Sequence, residues 1–190
     1  MPILKREPEI YPQWLFDEPP PGRWWVAYVR SRQEKRLARH LHYCRVPYYL
    51  PQQEQRVRRQ GRWRVSHLPL FPGYVFFRGH SHHRIQGLES NLVVRTLAGD
   101  DHELLDGELR ELWRLQCSGS PLVAHAYLGP GAAVEVIHGP FKGYRGLVVR
   151  EKGTYRLVVS ITMLRKSVAA ELDREVLAPA AAEVDQRRTA

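Results

Sequence analysis

Apolar and polar positions follow two different periods in the first fifty residues of the chain. Residues 24–29 read Trp-Trp-Val-Ala-Tyr-Val, a run rich in aromatic and β-branched side chains that predicts a strand buried on both faces. Leu37 and Leu41 follow at the spacing of one helical face, and Ser31 with Glu34 forms the S-x-x-E pattern of a capping box. The pattern therefore predicts a strand followed by a helix that opens at Ser31.

The next segments alternate between polar and strongly apolar character. Residues 54–65 are polar and rich in arginine around Gln60-Gly61, which predicts a solvent-facing hairpin. Residues 70–77 are the most apolar stretch of this half and predict a central strand entered through a turn at Pro72-Gly73. Two further helices and a short strand between them are predicted at 80–88, 106–116 and 92–94.

Periodicity stops at Ser118 and resumes only after Gly131, which indicates a domain boundary. Beyond it, short strands separated by glycine-rich or charged turns predict a small five-stranded barrel. The fold class is therefore α+β, with an N-terminal α/β sandwich built on an antiparallel sheet and a small C-terminal β-barrel. The predicted organisation is a flexible proline-rich lead at 1–22, a first domain at 23–117, a linker at 118–128, the barrel at 129–178 and a tail at 179–190.

The composition adds that the protein is soluble and globular. Hydrophobic residues make up 43% of 190, and no stretch approaches the roughly 18 consecutive apolar residues of a membrane helix. The N-terminus lacks the apolar run of a secretory signal, and the two cysteines, Cys44 and Cys117, are too few for a disulfide framework. We expect a cytoplasmic monomer without membrane association.

The positive charge is concentrated in one quarter of the chain. The net charge is +9, yet residues 23–64 hold twelve Arg or Lys against only Glu34 and Glu54, a local excess of +10 that leaves −1 for the remainder. A field confined to one segment attracts nucleic acid or an acidic protein surface. The alternative is that arginine serves solubility alone.

No sequence motif points to catalysis. The chain has no G-x-S-x-G, no Walker loop and no G-x-G-x-x-G, so we expect a protein that is not an enzyme and needs no cofactor. His80, His82 and His83 form the densest histidine group, and a metal-dependent enzyme built on them is the weakest alternative. Because so short a segment supplies neither geometry nor a fourth ligand, we expect surface or contact roles and no metal.

The sharpest local signal lies at residues 134–148. Alternating apolar residues lead into Gly139-Pro140, Phe141 can close the end of a barrel, and Gly143 and Gly146 permit close backbone approach. The plain alternative is a well-formed turn. In its length and order the stretch resembles the KOW motif of SH3-like barrels in transcription and ribosomal proteins.

With that motif in place, residues 23–177 resemble the NusG family of transcription elongation factors. Trp24-Trp25-Val26 is similar to the family's opening W-Y-V strand, and residues 70–75 match its F-P-G-Y strand. The strand at 93–95, the helix at 106–116 and the KOW barrel follow in the family's order. The resemblance implies a NusG N-terminal domain joined by a linker to an SH3-like KOW barrel.

The resemblance also implies a polymerase-binding surface. In the family, an apolar patch docks on the clamp helices of the largest RNA polymerase subunit and the domain reaches across the cleft to the second-largest subunit. The matching positions are Tyr28, Phe71, Tyr74 and Phe76. Phe76 is equally expected in the core, and Phe71 is the better contact. Bridging the cleft would suppress pausing and termination by shifting a conformational equilibrium.

Two further sites follow from similarity to the specialised RfaH-like branch. Its H-T-T contact with the opposite subunit corresponds to His82, His83 and Arg84, where both threonines are replaced. Its contact with the non-template DNA strand uses basic residues at the start of the first helix. The corresponding residues are Arg30, Arg32, Lys35, Arg36 and Arg39. The hairpin arginines either extend this track toward upstream duplex DNA or stay solvated.

The barrel would be the family's recruitment module, for a small-subunit ribosomal protein or the Rho factor. Its candidate contact residues are Phe141, Ile161, Met163 and Leu164, with ordinary core as the alternative for the last three. Because residues 162–166 read Thr-Met-Leu-Arg-Lys in place of the family's F-G-R-x-[TV], Rho binding is the less expected of the two. A rival function is a ribosome-associated or RNA-binding KOW protein.

Overall fold

The protein is described here by a computed structural model covering residues 5–97, 101–125, 134–136, 142–151, 154–172 and 177–178. Its first half contains β1 (Ile10–Tyr11), β2 (Arg23–Val29), α1 (Glu34–Tyr43), β3 (Tyr48–Tyr49), β4 (Gln52–Arg59), β5 (Arg62–Pro69), β6 (Tyr74–Gly79), α2 (Ser81–Glu89) and β7 (Val93–Leu97). Its second half contains α3 (His102–Cys117), β8 (Val123–His125), β9 (Val134–Val136), β10 (Arg145–Glu151), β11 (Thr154–Ile161), a 3₁₀ turn (Thr162–Leu164), β12 (Lys166–Leu172) and β13 (Leu177–Ala178). The predicted mixture of helices and antiparallel sheets is confirmed.

The N-terminal sheet has the strand order β1-β3-β6-β2-β7, and every neighbouring pair is antiparallel. The two strands predicted from the most apolar runs, β2 and β6, lie at its centre, with Val26 opposite Phe76 and Trp25 opposite Phe77. Central strands are covered on both faces, which is why their sequences are continuously apolar.

Alternate residues of β2 and β6 enter two separate hydrophobic clusters. Trp25 and Phe77 belong to the cluster that includes Leu37 and Leu41 of α1. Val26 and Phe76 belong to the other cluster, which is formed with the buried leucines of α3 and with residues of the C-terminal sheet. Successive strand residues point to opposite faces, so the sheet separates α1 from α3.

The first helix begins later than the sequence predicts. Gln33 is the residue preceding α1, no side chain caps the helix, and Arg32 adopts a positive φ of 62°. The carboxylate of Glu34 instead accepts a 2.7 Å hydrogen bond from the backbone N–H of Gly73. The predicted capping box is therefore wrong, because its glutamate bonds to the turn before β6.

The predicted hairpin is present as an independent two-stranded sheet. β4 and β5 pair along their whole length, from Gln52–Pro69 at the base to Arg59–Arg62 at the tip. Gln60 and Gly61 form the two-residue turn with φ values of 49° and 74°. Positive φ at both positions is the type I′ geometry that joins twisted antiparallel strands, and glycine adopts it without strain.

The segment preceding β2 is packed, in contrast to the expected flexible lead. β1 pairs with β3 at the edge of the first sheet, and Leu15 and Phe16 are buried. Phe16 stacks on Trp24 and on Trp113, with ring centroids 5.9 and 5.8 Å apart. These apolar side chains lie among prolines in sequence, where periodicity gives no signal.

The C-terminal strands form a six-stranded antiparallel sheet in the order β13-β9-β10-β11-β12-β8. Closure into an SH3-like barrel stays a prediction. The strand β8 lies within the predicted linker and pairs with β12, so part of that segment belongs to this sheet. Among the described helices, none combines the length and the apolar character needed to cross a membrane.

Candidate functional site

The four aromatic residues predicted to bind polymerase lie on one face of the first sheet. We call Tyr28, Phe71, Tyr74 and Phe76 the aromatic row. Tyr28 lies opposite Tyr74, with ring centroids 5.4 Å apart, and Phe71 meets Phe76 edge-on at 6.0 Å. Phe76 and Phe71 are buried, Tyr74 is half-buried, and Tyr28 is 36% exposed. The row thus runs from the core to the surface.

The C-terminal sheet belongs to the same hydrophobic cluster as the aromatic row. Phe71 and Phe76 share this cluster with Ile161 and Leu164, and Met163 packs against it. The ammonium group of Lys166 lies 5.3 Å from the centre of the Tyr74 ring. The two surfaces expected to bind different partners are therefore joined, and Ile161 and Leu164 are core residues in this arrangement.

The helix α3 connects the two sheets through polar contacts as well. The backbone N–H of Thr162 donates to both carboxylate oxygens of Glu108, at 3.1 and 3.0 Å. Burial raises the pKa of the Glu108 carboxyl, although the hydrogen bonds from Thr162 act in the opposite direction. The guanidinium of Arg114 lies 4.6 Å from the centre of the Tyr144 ring. These contacts hold the C-terminal sheet against α3.

The arginines before and within α1 divide into exposed and engaged side chains. Arg30, Arg32 and Arg36 are exposed. Arg39 donates a hydrogen bond to the carboxylate of Glu7 and remains partly accessible. Lys35 differs from the others because it is buried, and its ammonium group donates to the carbonyl of Lys5. Burial also lowers the pKa of Lys35. Lys35 therefore faces the N-terminal segment.

One turn connects the start of α1 to the strand that carries Tyr28 of the aromatic row. Gly73 donates its N–H to Glu34, the first residue of α1, and its carbonyl accepts from the N–H of Val29 at 2.9 Å. The φ of Gly73 is +87°, and a Cβ there would lie 3.3 Å from the Tyr28 ring. A residue other than glycine would therefore be strained and crowded at this junction.

The histidine segment lies at the other end of β6. The Nε2 atoms of His82 and His83 are 3.1 Å apart, and His83 Nδ1 accepts from the backbone N–H of His80 at 3.0 Å. Burial lowers the pKa of His83, and the neighbouring His82 and His80 lower it further. Arg84 donates to Thr96 Oγ1 at 2.7 Å, so it also supports the sheet. His82 is the exposed member of the predicted contact.

An ionic network that sequence reasoning missed attaches α3 to the central strands. Asp106 accepts from Trp24 Nε1 at 2.7 Å, from Arg78 at 2.6 Å and from Arg110 at 2.6 Å. Burial would raise the pKa of Asp106, but the Arg110 and Trp24 hydrogen bonds and the two arginine charges lower it below its usual value. Only the i,i+4 spacing of Asp106 and Arg110 was visible in the sequence.

Two predictions remain, one for the barrel residue Phe141 and one for metal binding. Phe141 lies outside the described residues. Across the part of the chain that is described, no group of three or more His, Cys, Asp or Glu side chains is arranged to hold a metal ion. Cys44 and Cys117 are free thiols.

Comparison with known proteins shows a similarity in the N-terminal half of the chain. Residues 22–107 match the family model NusG, described as transcription termination factor nusG, and this segment is a little under half of the chain. No curated protein sequence matches the chain. A solved structure described as domain interaction in Thermotoga maritima NusG is 18% identical to this chain, and the match covers 84% of this chain and 97% of that one with a TM-score of 0.44. The similarity to NusG therefore rests on residues 22–107, which contain the aromatic row, the exposed arginines and the histidine segment.

Proposed function

We propose that the chain is a non-enzymatic, NusG-like transcription elongation factor that binds RNA polymerase and suppresses pausing or termination. The observation that supports this most is the junction at Gly73, which ties the aromatic row to the helix that carries the exposed Arg36, within the segment similar to NusG. Large aromatic side chains anchor protein interfaces, and arginine pairs with phosphate and stacks on unpaired bases. A transcribing polymerase offers protein and exposed DNA side by side.

The proposed contacts lie at the two ends of β6. The aromatic row would bind the clamp helices of the largest subunit, and the segment His82-His83-Arg84 would face the second-largest subunit. Gly79 lies six positions after Gly73, a span of roughly 20 Å in an extended strand. Because one rigid strand carries both contacts, binding would disfavour opening of the cleft and would reduce the paused population.

Polymerase binding through the whole row requires the C-terminal sheet to separate from α3. Phe71 and Phe76 are buried in the cluster that includes Ile161 and Leu164. Separation would expose both sets together, leaving Ile161, Met163 and Leu164 free to recruit a ribosomal protein or Rho. We propose that the present arrangement is the closed form of the factor.

The test of the proposal is binding of the full chain to purified core RNA polymerase. Tyr28→Ala removes the most exposed ring of the aromatic row, and we expect affinity to fall about thirtyfold, as for an interface anchor worth ~2 kcal/mol. Tyr43→Ala is the matched control, because Tyr43 is 88% exposed on α1 and outside the row. Equal affinity of the two variants would remove the aromatic row from the interface.

The DNA contact is tested separately on a transcription bubble. Replacing Arg30, Arg32 and Arg36 with glutamate should weaken binding and flatten its dependence on salt, because phosphate neutralisation releases counterions. If the wild-type chain binds structured RNA or ribosomes and ignores polymerase, the RNA-binding KOW alternative replaces the proposal.

A further inference from the structure

The hairpin formed by β4 and β5 has a firmly held base and an exposed tip. At the base, Gln52 and Ser66 are buried, and the side-chain amide of Gln116 on α3 donates to the Gln52 carbonyl at 3.0 Å. Arg56, Arg58, Trp63 and Arg64 are exposed toward the tip. Within the described residues, this sheet contains only these two strands. The tip is therefore anchored through its base and open to solvent.

Pairing register places an apolar surface among the arginines on one face of the hairpin. Trp63 lies opposite Arg58, and Val65 lies opposite Arg56, so these four side chains share a face. Trp63 is 69% exposed and Val65 is 44% exposed. Together with Arg64, three of them line an open cleft. We call Arg56, Arg58, Trp63 and Val65 the hairpin platform.

The hairpin is strongly cationic toward its tip. Residues 55–65 contain five arginines and no acid. Of the described side chains, none forms an ion pair or hydrogen bond with Arg56, Arg58, Arg62 or Arg64. Glu54 at the base faces His67, with 3.9 Å between the nearest ionisable atoms. An exposed indole surrounded by these arginines suits a ligand that combines a flat ring with negative charge.

We propose that the hairpin platform binds single-stranded DNA, with a base stacked on Trp63 and flanking phosphates paired with the arginines. A duplex offers its bases to stacking only at its ends, so the indole favours an unpaired strand. Val65 beside the ring suits a thymine methyl group, since apolar side chains contact that group. Uracil lacks that methyl group, so a thymine-containing DNA strand fits the platform better than RNA. This site is separate from the aromatic row and needs no polymerase.

The experiment measures binding of the purified full chain to short oligo(dT), oligo(rU) and duplex DNA at several salt concentrations. We expect oligo(dT) to bind most tightly. Trp63→Ala should weaken that binding roughly 5- to 150-fold, the range for loss of one aromatic–base stack. Trp63→Phe should retain most of the affinity, because a phenyl ring still stacks. Quenching of tryptophan fluorescence by oligo(dT) should be largely lost in Trp63→Phe.

Matched variants separate the platform from other cationic surfaces. Tyr43→Ala removes a still more exposed ring from α1 and should leave oligo(dT) binding unchanged. Arg56→Gln with Arg58→Gln should reduce the slope of log affinity against log salt by about 0.7 per lost phosphate contact. Circular dichroism checks that the hairpin variants stay folded.

Three results would overturn the inference. Tight oligo(dT) binding that survives Trp63→Ala would place the DNA elsewhere on the chain. Tighter binding of oligo(rU) or of duplex DNA would exclude the assigned ligand. Binding to anionic phospholipid vesicles that depends on Trp63, with no binding to oligo(dT), would assign the platform to a membrane surface. Each outcome is independent of whether the chain binds polymerase.

Discussion

Removal of the Glu108 carboxylate should shift the protein toward the open form in which the aromatic row is accessible. Glu108 on α3 accepts the N–H of Thr162 through both oxygens, and it is the described hydrogen-bond link from α3 to the 3₁₀ turn after β11. Glu108→Ala removes this link without harming α3, since alanine is the best helix former. Because Glu108→Ala leaves the stability of each sheet unchanged, it should alter only the association between the two sheets.

The size of the expected population shift follows from the partly exposed position of the Glu108–Thr162 contact. A hydrogen bond to a charged group contributes about 1.5–3 kcal/mol, but burial raises the pKa of Glu108, so desolvation offsets part of the gain. We take about 1 kcal/mol, which corresponds to an approximately fivefold increase in the open population. In the proposed function only the open form exposes the whole row, so polymerase affinity should rise by the same factor.

Two measurements check this prediction independently. The chain contains two methionines, Met1 and Met163, so methyl-labelled methionine gives one NMR signal from the interface. Met163 packs against the shared cluster, and its signal should move toward that of a solvated methionine in Glu108→Ala. Binding to core polymerase is then measured on the same samples. Glu89→Ala, at the exposed end of α2, is the control for loss of one negative charge.

The combination of outcomes decides which step is wrong. An unchanged Met163 signal in Glu108→Ala would refute the role of this hydrogen bond in closing the molecule. A shifted signal without any gain in polymerase affinity would refute the claim that the covered surface is the binding surface.

Two further predictions concern stability. Asp106→Asn should lower the free energy of unfolding by about 2 kcal/mol, because Arg78 and Trp24 lose a charged acceptor. The thermal midpoint of this variant should fall by roughly 4–8 °C relative to the exposed control Asp17→Asn. The pKa of Asp106 is lowered in the folded state, so its contribution to the free energy of unfolding is complete above the unfolded pKa of about 3.9 and is lost as pH falls through the folded value. The stability difference between wild type and variant should therefore shrink below about pH 4. A difference that stays constant with pH would contradict the network. Glu34→Ala should cost about 1–3 kcal/mol in chemical denaturation by leaving the Gly73 N–H without its acceptor, whereas Glu34→Gln, which keeps an oxygen, should cost less; equal losses would show that charge matters more than the hydrogen bond.

Local sequence patterns predicted the elements of the first domain well. The runs at 24–29 and 70–77 predicted the two central strands, because a strand covered on both faces must be apolar throughout. Gln60-Gly61 predicted the hairpin turn, since few residue pairs adopt two positive φ values easily. Spacing of leucines predicted α3, although the helix begins at His102, four residues before the predicted start.

Errors arose where a polar side chain had both a local and a distant partner available. Ser31 and Glu34 have the spacing of a capping box, yet Glu34 bonds to Gly73, 39 residues away. Lys35 and Arg36 are adjacent cations, but only Arg36 is exposed, because the helical period turns Lys35 toward the N-terminal segment. Asp106 gains its partners from two strands that only the fold brings together.

By itself, the sequence determined which segments become strands and helices, where the cations concentrate, and that residues 22–107 resemble NusG. These properties depend on side-chain type and on spacing over a few residues. Only the tertiary structure decided that Phe71 and Phe76 share one cluster with Ile161 and Leu164. An apolar residue has the same preference for a core and for an interface, because both remove its surface from water, and so its final neighbours depend on how the two sheets pack.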